Sequence, residues 1–236
     1  MARPWLIRMR WLDLLFAHWP VDPAPLERLI PPQLELERFE DHAWLGIVPF
    51  TMDDVAPRGV PTFGRFGTFP ELNVRTYVRR RDRPADRGVW FLSLDAGSWT
   101  TVWGSRVVFH LPYVHARMRS TREGDDVVYQ SERDDRGWPP VRFAARYRPV
   151  GPVVPAEPGT FEDWATMRLR LFSVDSHRRL IHGDIDHAPW PLQPAGGNVE
   201  AGELAASHGL VLPDVPPRLH FARRLDVHAW LPVRSR

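Results

Sequence analysis

Apolar and polar residues along this chain fall into short runs that alternate with period two or are wholly apolar, broken by turn-forming residues. That pattern predicts strands. Residues 11–19 form an apolar segment whose end is marked by Pro20. A short helix is predicted next: Asp22 can cap it, Pro23 suits its first position, and Leu26, Leu29 and Ile30 share one face. Pro31 and Pro32 stop it. Strands then dominate. Residues 34–37 alternate, 43–52 predict a mostly buried strand, and 53–69, rich in Gly, Pro and Phe, predict a long loop. Further strands are predicted at 72–78, 89–94, 100–111, 114–119, 127–132 and 142–147. Turns such as Glu123-Gly124-Asp125 and Arg136-Gly137 separate them. After a Pro-rich connector at 149–158, Thr160 with Asp163 predicts a capped helix start. Strands at 168–174 and 180–185, a helix at 199–207 ending at Gly209, and a strand at 219–230 complete the chain. The repeated spacing argues for one α+β domain over residues 1–236, mainly antiparallel β, whose sheet closes or folds on itself.

Composition narrows the chemistry. The chain has 236 residues, no cysteine and no lysine, so all 31 basic side chains are arginine. That excludes a lysine Schiff base, a thiolate nucleophile, a disulfide framework and a P-loop lysine. Catalysis is left to carboxylates, histidines, hydroxyls, arginines or a borrowed metal. The sequence pI of about 9.5 reflects the missing lysine and cysteine titrations more than basicity, because the formal net charge is only +2. Interspersed charges argue against nucleic-acid binding. The N-terminal residues do not read as a signal peptide, and no stretch approaches the ~20 apolar residues of a membrane span. The expectation is a soluble cytoplasmic protein.

Three constellations are candidates for chemistry. On a strand, Glu71, Asn73, Arg75 and Tyr77 face one way and Leu72, Val74 and Thr76 the other. Such a face is either a solvated sheet surface or a polar barrel interior. In the second case Arg75 would hold a carboxylate and Glu71 would act as acid or base. Arg106, Val108 and His110 would share one side of the predicted 100–111 strand, with His110 either a general base or a structural histidine. His182, Asp184 and Asp186 would point together on a strand, beside His187, as a metal site or as a solvated edge; no metal and no cofactor is expected. The aromatic-rich residues 63–69 suggest a lid or a loop packed on the core.

Several of these stretches also resemble a known family. Phe16-Ala17-His18-Trp19-Pro20-Val21, Leu29-Ile30-Pro31-Pro32-Gln33-Leu34-Glu35-Leu36, Glu71-Leu72-Asn73-Val74-Arg75-Thr76-Tyr77-Val78, Leu111-Pro112-Tyr113 and His187-Ala188-Pro189-Trp190-Pro191-Leu192 resemble, in order, the YqjF-like DUF2071 proteins of bacteria. That family is similar to the acetoacetate decarboxylase-like superfamily. The resemblance implies a cone-shaped β-barrel or sandwich with peripheral helices and a polar pocket inside, and it matches Glu71 to a glutamate of the decarboxylases. It also places the decarboxylases' reactive lysine pair near Pro112-Tyr113, where this chain has none. The Schiff-base mechanism therefore cannot be carried over. The leading expectation is a pocket that binds a small carboxylate through Asn73, Arg75, Tyr77, Arg106 and Tyr113. Glu71 and His110 would supply acid–base chemistry such as enolisation, hydration or lactone opening. The alternative is a noncatalytic binding or structural protein that keeps the fold. The sequence leaves the oligomeric state open.

Overall fold

A computed structural model describes residues 4–61 and 67–235. The first half of the chain holds β1 (Ile7–Val21), α1 (Pro23–Glu27), β2 (Leu34–Leu36), β3 (Ala43–Pro57), β4 (Phe69–Arg80), β5 (Arg87–Ala96), α2 (Trp99–Val108) and β6 (Tyr113–Glu123). The second half holds β7 (Asp126–Arg133), β8 (Arg142–Pro149), α3 (Phe161–Thr166), β9 (Arg170–Val174), β10 (Leu180–His187), β11 (Gln193–Glu200), α4 (Gly202–Ala206), β12 (Arg218–Ala229) and β13 (Val233–Arg234). No helix among the described residues is long and apolar enough to cross a membrane.

The strand ladders close two rings that share a wall. β12, β1, β3, β4 and β5 pair in that order, all antiparallel. On one side β6, β7, β8 and β11 lead from β5 back to β12 and make a closed nine-stranded barrel. On the other side β9 and β10 make the same connection and close a ring of seven. Strands from both sides of the 149–158 connector therefore pair in one sheet.

The shared wall is buried on both faces, which explains its near-continuous apolar runs. Alternation sends one set of side chains into each ring. Leu15, Ala17, Leu45, Ile47, Leu72 and Val74 pack into the nine-stranded side. Leu14, Phe16, Val48, Phe50 and Tyr77 pack into the seven-stranded side. Asp13 and Asp54 hold left-handed φ of 50° and 51° where β1 and β3 slip register, so each strand changes which parity faces which ring. Ion pairs of Arg8 with Asp54 and Arg10 with Asp53, at 3.2 and 2.9 Å, tie down this irregular stretch.

Three expectations need correction. The strand predicted at 100–111 is α2. β5 and β6 run parallel, and a parallel pair needs a crossover of about a dozen residues, usually helical. Ser98 caps that helix by accepting from the Thr101 N–H at 3.3 Å, and Val102 anchors it in the core. β5 also runs parallel to β9, within a sheet that is mainly antiparallel as expected. The loop predicted from residue 53 begins only after Pro57, because β3 continues through its bulge. The helix predicted at 199–207 shrinks to α4, and β11, unread from its sequence, precedes it. β11 is rich in Gly; Gly197 lies at φ 152°, where a Cβ would meet the Arg146 carbonyl oxygen at 2.1 Å. The candidate lid at residues 63–69 lies for the most part outside the described residues.

Candidate active site

The seven-stranded ring encloses a cavity of about 160 Å³, walled mostly by apolar side chains. That is the size of an engineered apolar cavity that holds benzene, roughly 150 Å³. β1, β3, β4 and β5 form one side, β9, β10 and β12 the other, and Thr101, Ser105 and Phe109 of the α2 segment cover one end. Glu71, Asn73 and Arg75 of β4 all line it, at 2, 7 and 9% exposure. The polar face of β4 is thus an interior face, not a solvated one. Glu71 and Arg75 stand four residues apart, about 13 Å of strand, with Asn73 between them.

Glu71 sits among apolar groups, and among the described residues its one side-chain partner is the Tyr113 hydroxyl, which donates to Oε2 at 3.1 Å. Burial without a cationic partner disfavours the carboxylate and pushes its pKa up to about 8, although the Tyr113 hydrogen bond pulls slightly the other way. At neutral pH Glu71 is a protonated acid. Its backbone is fixed from the nine-stranded side, where the Tyr129 hydroxyl donates to the Glu71 carbonyl at 2.7 Å.

Arg75 has no carboxylate partner among the described residues. Its Nη2 donates to the Ala165 carbonyl at 3.4 Å, and its guanidinium lies 5.3 Å from the Phe16 ring and 5.8 Å from the Tyr77 ring. Its Nε is buried with no protein partner. The buried Trp11 Nε1, Asn73 Oδ1 and Arg168 Nη2 are likewise without one, and all four residues line the cavity. Arg168 is otherwise committed to Glu37, with Nη1 to Oε2 at 2.6 Å. With Glu71 neutral, the cavity offers a buried, uncompensated positive charge.

The other expected residues separate. Tyr113 lines the cavity through its contact with Glu71. Tyr77 does not: it is fully buried on the same side of the wall, beyond Arg75, paired with His18 Nε2 at 2.6 Å and packed on Trp164. Arg106 and His110 fall outside, on an external groove that shares only Phe91, Leu111 and Tyr113 with the cavity. The reason is the helix. Arg106 points off α2 toward the Tyr113 carbonyl and Asp135, and His110 follows it at φ 50°, exposed. In β10, His182 is bound to Ser235 and Asp184 to Arg170, and among the described residues no group of three or more His, Cys, Asp or Glu could hold a metal ion. Gly183, Ile185 and His187 carry the inward alternation of β10 and line the cavity. The sequence places His187 only beside the candidate metal ligands of the other parity, with no acid–base role.

The family model for DUF2071, described as an uncharacterized conserved protein, matches residues 8–226. The chain belongs to the DUF2071 family. It is 39% identical over 232 residues to the uncharacterized protein YqjF of Bacillus subtilis (strain 168), covering 98% of this chain and 93% of that one. Among solved structures, acetoacetate decarboxylase from Legionella pneumophila superposes with a TM-score of 0.68 at 14% identity, covering 98% of this DUF2071 chain and 87% of the decarboxylase. The enduracididine biosynthesis enzyme MppR complexed with pyruvate superposes with a TM-score of 0.64 at 12% identity, covering 99 and 91%. At these identities the likeness establishes the fold, which is acetoacetate decarboxylase-like.

Proposed function

We propose that this DUF2071 protein binds a short organic carboxylate in the seven-stranded ring and performs acid–base chemistry on it, without a covalent amine intermediate. The observation that carries this reading is Arg75, a buried guanidinium with no carboxylate partner among the described residues, opening on a cavity of about 160 Å³. A buried charge must be paired to be tolerated cheaply, and a ligand carboxylate would supply the pair bidentately. Glu71, held as a neutral acid, can donate a hydrogen bond or a proton to a ligand oxygen. The pyruvate complex of MppR supports a small oxo acid as the ligand class. The lysine-free chain excludes the decarboxylase's amine route but not its pocket. Enolisation of an oxo acid, or addition and loss of water beside its carboxylate, fits these groups. The absence of cysteine is in keeping with a cytoplasmic protein.

The test is thermal shift against a panel of short carboxylic acids, with Arg75→Met beside the parent protein. A ligand at one hundred times its Kd stabilises by about 2.7 kcal/mol. For a chain of this length that is roughly 5–10 °C. Arg75→Met should lose the response while its own Tm stays level or rises, because the apolar isostere removes an unpaired buried charge. A parent protein unmoved by the whole panel, or an Arg75→Met variant that still responds, refutes the reading.

A further inference from the structure

His187 lies on the cavity side of β10, in step with Gly183 and Ile185. Its Nδ1 is 2.7 Å from the carbonyl oxygen of Ala188. A carbonyl can only accept, so Nδ1 carries the ring proton and Nε2 is left with its lone pair. No described residue donates to Nε2. The ring is held edge-on against Trp190, centroids 5.2 Å apart, and lies 6.4 Å from Trp11. Trp190 is itself fixed by its Nε1 donating to the Thr166 carbonyl at 2.9 Å. The imidazole is therefore preset in one tautomer, with an unused base at the cavity.

The ring of strands gives the second half of the argument. Passing round it, β10 is three strands from β4 by way of β9 and β5, and four by way of β12, β1 and β3. In a ring of seven no two strands can lie farther apart. His187 and Glu71 thus face the cavity from opposite walls, with Arg75 on the wall of Glu71.

We propose that His187 is the general base of this site: it takes a proton from the carbon next to the carbonyl of an oxo acid anchored on Arg75, while Glu71 protonates the carbonyl oxygen from the opposite wall. The C–H bond breaks and its electron pair becomes the carbon–carbon π bond. The carbonyl π pair takes the Glu71 proton, leaving an enol, an imidazolium at His187 and a carboxylate at Glu71. Nothing is oxidised or reduced. The reverse step returns a proton that has exchanged with solvent. Burial keeps His187 below its ordinary pKa, so it is neutral and basic at pH 7; Asp186 on its own strand opposes that shift and Arg75 on β4 adds to it. Its register partner on β12, Val227, and Trp11 on β1 bring no charge.

This inference rests on the carboxylate-binding reading, and the experiment separates the two. Deuterium uptake into the methyl group of pyruvate is followed by proton NMR in D2O, and pyruvate binding is measured in parallel by thermal shift. His187→Asn keeps a nitrogen donor for the Ala188 carbonyl but has no base at the Nε2 position. The parent protein should accelerate exchange, with a rate that falls below the His187 pKa and again above about pH 8, where Glu71 loses its proton. His187→Asn should bind pyruvate within about threefold of the parent and lose at least about 100-fold in exchange rate. Imidazole added to His187→Ala should restore part of it, which a merely structural role would not allow and which covers the case of a poorly folded Asn variant. Pyruvate that binds without exchanging, or a His187→Asn variant that exchanges like the parent, overturns the base assignment and leaves the binding reading intact. No binding at all overturns both.

Discussion

Replacing Glu71 by glutamine should abolish a large pH dependence of stability. In the folded protein Glu71 is raised from 4.5 to about 8, because burial removes water from the carboxylate and supplies no cation. Between those values the folded protein keeps a proton that the unfolded chain has released. Stability must therefore fall as pH rises through that window. It is fully present below pH 4.5, declines by about 1.4 kcal/mol per pH unit, and levels off above about pH 8, for a total of about 5 kcal/mol. Glu71→Gln preserves shape and neutrality, and its amide oxygen can accept from Tyr113 as Oε2 does. The assay is urea unfolding of both proteins at unit steps from pH 5 to pH 9. Taking the difference at each pH cancels every other titrating group, including the buried Asp95. The advantage of Glu71→Gln over the parent should grow by about 1.4 kcal/mol per unit up to pH 8 and then hold. A difference flat within about 0.5 kcal/mol would mean that Glu71 is already ionised at neutral pH, and the acid assigned to it would be lost.

Tyr113→Phe removes the one side-chain donor to Glu71. It should cost about 1 kcal/mol at pH 6 and move the levelling-off point of the same titration to higher pH, since that hydrogen bond favours the carboxylate. Arg133→Met should destabilise far more. Arg133 Nε donates to both oxygens of Asp95 at 3.0 Å, and the two side chains are 1 and 2% exposed. The substitution strands a buried carboxylate at a cost of about 3–5 kcal/mol in chemical denaturation, most of which Asp95→Asn in the same chain should recover.

What could be read before the fold was known follows from where local physics decides. The capped helix at Thr160 forms as expected, with the Asp163 N–H donating to Oγ1 at 3.3 Å, because capping is local. The β4 face was legible because a strand's alternation is also local. Whether that face met water or a cavity was not, since both give the same pattern; only the second ring, closed by β10 against β12, makes it an interior. α2 was misread because Thr100, Thr101, Val102 and Trp103 favour strands, and the parallel crossover that overrides them joins residues far apart in sequence. That error carried His110 and Arg106 into a site they do not share. In the sequence His187 reads only as a member of a candidate metal run, because three charged or polar neighbours stand on the opposite parity of β10. Two of them have ordinary partners, Ser235 for His182 and Arg170 for Asp184, and Asp186 is exposed.

The two rings differ in how the buried polar groups on each side of the shared wall are satisfied. In the nine-stranded side the buried ions are paired within one network, Asp95 with Arg133, Arg133 with Ser93, and Ser93 with His208, and Ser131 Oγ is the buried side-chain atom of β7 left without a described partner. Such a network rigidifies a core and asks for nothing more. The seven-stranded side is built differently. Trp11 Nε1, Asn73 Oδ1, Arg75 Nε and Arg168 Nη2 are each buried without a partner among the described residues, and they belong to residues around one cavity. A polar group left so costs about 1–3 kcal/mol. Four of them together would be a heavy burden for a wall whose only task was to hold strands apart. Where the resemblance to the decarboxylases would put a reactive amine, this chain has Tyr113 with its hydroxyl on Glu71. A cation, a neutral acid and unmet donors and acceptors without any amine are the groups that the proposed binding of an anion and movement of protons on it would use, and neither step calls for lysine.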